Sequence, residues 1–186
     1  YPRREVAEIL KTQNTHWGAN EKVLQNLTAL AQPNSIAVVT GQQVGIFGGP
    51  LFTIYKALTC LKLAQSLSAQ LGVQVVPIFW LAADDDDLPE MNRLVLQTRE
   101  NTLTTLSCEL DSVARKPAFK VHLTPQVEEC HRMIGETIAD SEFKQEILSR
   151  LAEAYAPGQS LLDSFARWIN YLLGDLGLVL LNPTDP

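Results

Sequence analysis

The pattern of apolar and polar residues predicts three buried β-strands with helices between them. Strand-length apolar runs cover 36–40, 73–81 and 177–181, and the first is rich in β-branched residues. Between the first two runs, residues 51–71 form a largely apolar segment of helical length that ends at Gly72. A strand, a buried helix and a second strand make a βαβ unit. The pattern therefore predicts an α/β fold, a Rossmann-like parallel sheet flanked by helices.

The other segments predict helices and one small β excursion. Residues 1–32 carry two helical spacings of apolar residues, and Asn20 is the expected N-cap of the second helix. Residues 93–123 contain short strand signals at 94–96 and 119–123 without a strong helix pattern. We interpret that segment as a small β insertion.

Three more helices are predicted in the C-terminal half of the chain. The first follows Thr124-Pro125, and the second runs over 141–155. The third begins at a capping box of Ser160 and Asp163 and ends at Gly174. We expect residues 1–186 to form a single Rossmann-like core domain, the N-terminal part of a longer protein.

Charge and composition exclude several classes of function. The net charge of −6 comes from scattered residues with no basic stretch, so nucleic acid and anionic membranes are not expected partners. No apolar run approaches the ~20 residues that span a bilayer. The three cysteines, Cys60, Cys108 and Cys130, are odd in number and far apart, which argues against a disulfide framework. We therefore expect a cytoplasmic protein in a reducing compartment.

A polar, turn-rich segment follows each predicted strand. These segments are 40–50, 83–89 and 182–186. In open parallel sheets, ligands bind outside the carboxyl ends of the strands. If the three strands are parallel, the segments converge on one site.

The first segment is rich in glycine and leads into a helix. Its glycines allow sharp turns and close approach to a ligand, and the helix N-terminus can receive an anion. The segment is neither a G-x-G-x-x-G fingerprint nor a P-loop, so a tightly packed turn without a ligand is the alternative. Lys56 could reach back toward a phosphate or carboxylate, or extend along the helix edge. The predicted substrate- or phosphate-binding residues here are Thr40, Gly41, Gln42, Gln43, Gly45, Gly48, Gly49 and Lys56.

The second segment places four carboxylates, Asp84, Asp85, Asp86 and Asp87, at a strand end. Such a run either binds a hard cation such as Mg²⁺ or serves as acid/base groups, and a solvated acidic loop is the alternative. The three histidines do not fall in a metal-ligand spacing, and no G-x-S-x-G nucleophile motif is present.

Long strings of residues resemble a known family. They are Val38-Val-Thr-Gly-Gln-Gln-Val-Gly-Ile-Phe-Gly-Gly-Pro-Leu-Phe-Thr-Ile-Tyr-Lys-Ala57, Pro77-Ile-Phe-Trp-Leu-Ala82 and Gly177-Leu-Val-Leu-Leu-Asn-Pro-Thr-Asp-Pro186. Together they strongly resemble the bacillithiol biosynthesis cysteine-adding enzymes, and the resemblance covers nearly the whole chain. It implies a ligase that joins cysteine to the amine of glucosaminyl-malate, giving bacillithiol. It also implies a homodimer formed through a C-terminal coiled coil that has no counterpart in these residues.

The resemblance suggests roles for the strand-end segments. The loop 40–50 would hold an anionic group, either a nucleotide phosphate or the malate carboxylates. Asp84 to Asp87 with Asn92 would be the catalytic residues that orient the amine or a cation, and Asn182 and Asp185 would close the site. ATP is the expected driver because amide formation needs an activated carboxyl, although the sequence has no ATP motif.

One departure from the family keeps other functions open. The family pattern reads approximately E-D-H-D and then N-H where this chain has Asp84 to Asp87 and Asn92-Arg93. Both histidines are therefore replaced, by Asp86 and Arg93. A nucleotidyl-transfer domain acting on another small substrate, and a non-catalytic binding or scaffold fragment, are the alternative functions.

Overall fold

The computed structural model describes residues 2–111 and 116–185. Residues 112–115, inside the predicted insertion, and Pro186, at the end of the third strand-end segment, lie outside the described residues, as does Tyr1. In chain order the elements are α1 Arg3–His16, α2 Glu21–Leu30, β1 Ile36–Gln43, α3 Phe52–Leu71, β2 Val75–Ala82, α4 Leu88–Met91, β3 Arg93–Gln97, β4 Leu103–Ser107, α5 Val127–Thr137, α6 Lys144–Ala154, α7 Leu161–Leu173 and β5 Val179–Leu181.

The chain divides into two compact units. The sheet unit comprises Tyr1–Gln42, Leu51–Ala82 and Ile169–Pro186, and the hairpin unit comprises Gln43–Pro50 and Ala83–Trp168. The hairpin unit contains the predicted insertion 93–123 and extends well beyond it.

The sheet unit contains a three-stranded parallel sheet, counted over the described residues, in the order β1-β2-β5. β2 and β5 pair with Ile78 opposite Val179 and Trp80 opposite Leu181. Residues between β1 and β2 form α3, as a βαβ unit requires. The predicted α/β, Rossmann-like fold is confirmed.

Local signals define the helix ends of the sheet unit. The Asn20 side chain accepts a hydrogen bond from the Val23 N–H at 3.1 Å, so the predicted N-cap of α2 is confirmed. Gly72 has φ 66° and ends α3 in the left-handed conformation that glycine adopts without strain.

Both faces of β2 are buried. Its Val76 and Ile78 belong to a core cluster with residues of α1, α2 and β5, namely Leu10, Val23, Leu27, Leu30 and Val179. Phe79, on the alternate face, is also fully buried. On α3, which contacts β2, the Cys60 thiol donates to the carbonyl of Val38 at 3.3 Å. Burial raises the pKa of this thiol, as expected for an inert cysteine.

α3 is less buried than its composition predicts. Its buried residues are Thr53, Ala57, Cys60 and Ala64, which form one stripe, whereas Tyr55 is 60% exposed. Val39 on β1 is also 56% exposed, and β1 lies at an edge of the sheet within the described residues. Apolar composition therefore did not predict which faces are covered.

The hairpin unit contains the predicted small β excursion. β3 and β4 pair antiparallel, with Arg93 opposite Ser107 and Gln97 opposite Leu103. The strand signal over 119–123 gives no regular strand, because Ala118–Lys120 is a 3₁₀ turn and His122 and Leu123 form only isolated β-bridges, to Ser160 and Leu110. Its backbone donors are used elsewhere: the N–H of Ala118 bonds the Asp85 carbonyl and that of Phe119 bonds the Ala83 carbonyl, at 2.9 and 3.0 Å.

The ends of α7 confirm one prediction and correct another. The Ser160 hydroxyl accepts from the Asp163 N–H at 3.0 Å and donates to the Asp163 carboxylate at 2.8 Å, so the capping box is confirmed. Gly174 is not the left-handed C-cap, because the chain continues in a 3₁₀ turn, Gly174–Leu176. Gly177, with φ 88°, takes that role.

Cys108 and Cys130 form a disulfide, with Cα atoms 6.3 Å apart. The expectation that the cysteines are unpaired is therefore wrong for these two. Their separation of 22 residues in sequence gave no signal, because the fold brings the residue after β4 to α5. Disulfides are uncommon in reducing compartments, so cysteine usage no longer supports a cytoplasmic location.

We expect thiol titration of the unfolded protein to detect one free thiol, Cys60, before reduction and three after it. Reduction should lower the free energy of unfolding of the hairpin unit by about 3 kcal/mol, because the disulfide closes a loop of some 22 residues. Cys60→Ala is the control and should show no free thiol before reduction and two free thiols after it. Three thiols in the wild type before reduction would contradict the disulfide.

Across residues 2–111 and 116–185, none of the helices combines the length and apolarity needed to cross a membrane.

Candidate functional site

Three predicted residues of the sheet unit meet at the start of α3. The Lys56 ammonium donates to the Gly41 carbonyl at 3.3 Å and to the Gln42 side-chain oxygen at 3.0 Å. It also lies 4.9 Å from the centre of the Phe52 ring. Lys56 therefore reaches back to the end of β1, and we call Gly41, Gln42 and Lys56 the Lys56 cluster. Because an ammonium has three donors and Lys56 is exposed, the third can bind an anion.

Gly41 has a packing reason to be glycine. A Cβ at this position would lie 3.0 Å from both the Cβ and the carbonyl oxygen of Trp80 on β2. Any side chain would therefore push β1 away from β2. Thr40, one residue earlier on β1, is half-buried.

The glycine loop of the hairpin unit, Gln43–Pro50, is largely buried. A Cβ on Gly45 would lie 3.3 Å from the Met91 carbonyl oxygen, and one on Gly48 would lie 2.9 Å from the Trp168 indole. The N–H of Gly48 bonds the Tyr155 hydroxyl and that of Gly49 bonds the Ile46 carbonyl, both at 2.9 Å. These two amides are engaged within the protein and do not form a phosphate cradle. Ligand binding by Gly45, Gly48 and Gly49 stays a prediction.

The four aspartates, Asp84 to Asp87, are exposed. One carboxylate oxygen of Asp85 accepts from the N–H groups of Asp86 and Asp87, at 2.7 and 3.2 Å. The segment is therefore a turn that its own side chain stabilises. In the described part of the chain, no three His, Cys, Asp or Glu side chains are grouped so that they could hold a metal ion. Mg²⁺ binding by the run stays a prediction.

Two other predicted residues of the hairpin unit make local contacts. The Gln43 side-chain amide is 3.5 Å from the Asp87 carbonyl, at the outer limit of a hydrogen bond. The side-chain amide nitrogen of Asn92 faces the carbonyls of Leu88 and Pro89 and donates to both, each at 3.2 Å. Asn92 therefore closes the end of α4.

The third strand end of the sheet unit is held by a residue that sequence reasoning missed. The Gln13 amide donates to the Asn182 carbonyl at 3.1 Å and to the Asp185 carboxylate at 2.9 Å, and its oxygen accepts from the Asn182 N–H at 3.0 Å. The Asn182 side-chain oxygen accepts from the N–H of Thr184 at 3.0 Å. Asn182 and Asp185 thus have partners within the protein. The string Gln13-Asn-Thr-His-Trp-Gly18 is similar to the family, but sequence reasoning gave Gln13, near the C-terminal end of α1, no role of its own.

Thr53 is a second residue that the sequence did not single out. It lies in the first turn of α3 and is fully buried. Its hydroxyl has no hydrogen-bond partner among the residues that the structure describes. A lone threonine in an apolar helix gives no signal of this kind in the sequence.

The structure thus brings together the Lys56 cluster in one unit, and Asn182 with Asp185 through Gln13 in the same unit. Gln43 and the acidic run lie in the hairpin unit. The convergence of all three strand-end segments on one site stays a prediction.

Several curated proteins are similar to this chain and carry the name "Putative cysteine ligase BshC". The chain is 40% identical over 186 residues to that of Salinibacter ruber, covering 98% of the chain and 34% of that protein. It is 34% identical to that of Symbiobacterium thermophilum (99% of the chain, 35% of that protein) and 33% identical to that of Bacillus cereus strain G9842 (99% and 34%). The chain spans about a third of the length of these relatives.

A family model described as "Bacillithiol biosynthesis BshC, N-terminal Rossmann-like domain" matches residues 1–186. The match extends over the whole chain and agrees with the parallel sheet of the sheet unit. The resemblance carried by the glycine-rich string and the strand-end segments is confirmed. This chain therefore belongs to the BshC family of bacillithiol biosynthesis, of which it is the N-terminal Rossmann-like domain.

Proposed function

We propose that this chain is the N-terminal part of a cytoplasmic ligase that joins cysteine to the amine of glucosaminyl-malate. The observation that carries the proposal is the family match over residues 1–186, and the names of the relatives support a cysteine ligase. The substrates are small molecules. We also propose a homodimer formed through a coiled coil, as the family resemblance implies.

Within this proposal, the Lys56 cluster binds a carboxylate of the malate moiety or a phosphate. Lys56 is exposed and uses two donors on Gly41 and Gln42, so its third donor is available to an anion. The N-terminus of α3 lies one turn away and favours negative charge. The amides of Gly48 and Gly49 are already bonded within the protein, so the proposal does not assign the anion to them.

The proposed reaction forms an amide bond. The glucosamine nitrogen, as the neutral amine, attacks the carboxyl carbon of cysteine and loses one proton as the C–N bond forms. One carboxyl C–O bond breaks, and its oxygen would leave with the phosphate that ATP supplies. The exposed carboxylates of Asp84 to Asp87 are the proposed acceptors of the amine proton, with Asn92 orienting the amine. A carboxylate is a poor acyl donor until it is activated, and ATP is the proposed source of activation.

The test uses a protein that carries this chain at the full length of its relatives. Incubated with ATP, cysteine and glucosaminyl-malate, it should give a product with the mass of both substrates minus water, seen by mass spectrometry. Omitting ATP should abolish that product. A nucleotidylated product without cysteine would favour nucleotidyl transfer. If no product forms, gain of product in the Asp86→His, Arg93→His double variant would show that the replaced histidines are the defect.

Lys56→Ala should lower the rate of adduct formation at low glucosaminyl-malate concentration by about tenfold or more, because a charge-assisted hydrogen bond is lost. Lys62→Ala removes an exposed lysine from the same helix and is the matched control, with an expected change below about twofold. Equal rates in the two variants would refute the assignment of the anion to Lys56 and leave the ligase proposal standing.

A further inference from the structure

The glycine loop has an unusual backbone. Phe47 has φ 52° and ψ 30°, the left-handed region that bulky residues avoid. Gly48 and Gly49 follow with φ 91° and 68°, so three successive residues have positive φ. Such conformations persist only where the surroundings fix them, and they concentrate at functional sites.

Tyr155, at the C-terminal end of α6, fixes this turn. Its hydroxyl accepts a hydrogen bond from the Gly48 N–H at 2.9 Å and donates one to the Gly45 carbonyl at 3.0 Å. One oxygen atom thus joins the two ends of the 3₁₀ turn Ile46–Gly48. The Tyr155 ring also packs on Phe47, with ring centres 5.0 Å apart at 53°.

The contact is sequestered from water. Tyr155 is fully buried, as are Gly45 and Gly48. Burial raises the pKa of the Tyr155 phenol well above its ordinary value, so the hydroxyl keeps its proton and stays a donor at physiological pH. Without the hydroxyl, both a buried N–H and a buried carbonyl would lose their partner, and neither could turn to water.

The loop carries Gly45, Gly48 and Gly49, three of the predicted substrate- or phosphate-binding residues, and Tyr155 contacts it within the same unit. We propose that Tyr155 is a positioning residue that holds the glycine loop in its ligand-binding form. The proposal rests on the ligase function above, because it assumes that this loop serves substrate binding. Tyr155 belongs to the hairpin unit, and no sequence motif singled it out.

The test compares Tyr155→Phe with Ser35→Ala in the full-length protein. Tyr155→Phe removes only the hydroxyl and keeps the ring. Ser35 is buried in the sheet unit, and its hydroxyl donates to the carbonyls of Leu30 and Gln32, at 3.2 and 3.0 Å, so Ser35→Ala is a control that also loses buried hydrogen bonds. Hydrogen–deuterium exchange of the peptide covering 43–50 reports the loop, and steady-state kinetics report KM and kcat for glucosaminyl-malate.

We expect Tyr155→Phe to speed exchange of the loop peptide and to raise KM about tenfold while kcat changes less than about twofold. Ser35→Ala should change neither, although both variants lower the melting temperature. Unchanged exchange in Tyr155→Phe, or faster exchange with unchanged KM, would overturn the positioning role. If neither the wild type nor the Asp86→His, Arg93→His variant forms the adduct, the ligase proposal fails instead. The dissociation constant of glucosaminyl-malate then replaces KM, with the same expected tenfold difference.

Discussion

In the Gly48→Ala variant, the free energy of unfolding of the hairpin unit is expected to fall by about 3–5 kcal/mol. Two effects add at this position. Gly48 has φ 91°, which costs little for glycine and strains any residue with a Cβ. The new Cβ would lie 2.9 Å from two atoms of the Trp168 indole, a ring that is itself buried and cannot rotate away freely.

Gly158→Ala separates the two effects. Gly158 also belongs to the hairpin unit and has φ 79°, but a Cβ there would meet no atom within 4 Å. Gly158→Ala should therefore lower the free energy of unfolding only through backbone strain, by about 1–2 kcal/mol. Urea denaturation of both variants, followed by circular dichroism, measures the difference. Equal losses of unfolding free energy in the two variants would mean that the glycine loop shifts to make room for the Cβ and is not tightly packed on Trp168.

Features governed by neighbouring residues were predicted well from the sequence. The Asn20 cap, the end of α3 at Gly72 and the capping box at Ser160 each depend on residues a few positions apart. The reach of Lys56 back to the end of β1 also depends on local helical spacing, whereas its binding of an anion stays a prediction. Periodicity and capping preferences are local, so a single sequence contains them.

Features that join distant segments could not be predicted. The Tyr155 hydroxyl meets the glycine loop more than a hundred residues away in sequence, and Cys108 meets Cys130 through the packing of α5 beside β4. Apolar patterning also predicted the false strand at 119–123, because it does not record where backbone donors go. For the acidic run, a charge count could not show that Asp85 closes its own turn.

Asn14 is the clearest case of a distant contact that governs stability. It lies on α1, is 1% exposed, and its amide donates to the Leu180 carbonyl at 2.7 Å and accepts from the Leu180 N–H at 2.9 Å. Gln13 makes the same kind of pair with Asn182. Two side-chain amides of a helix therefore bond the edge of β5 as a further strand would.

Asn14→Ala should consequently lower the free energy of unfolding of the sheet unit by about 3–5 kcal/mol, because the N–H and the carbonyl of Leu180 both lose their partner in a buried position. Thr15→Ala, an exposed change in the next residue of the same helix, is the matched control and should alter stability by less than about 0.5 kcal/mol. Denaturant unfolding of the two variants gives the comparison. A loss below about 1 kcal/mol in Asn14→Ala would show that water or a rearranged α1 satisfies Leu180. If water satisfies it, the edge of β5 would be open to another strand, and α1 could not be what ends the sheet on that side.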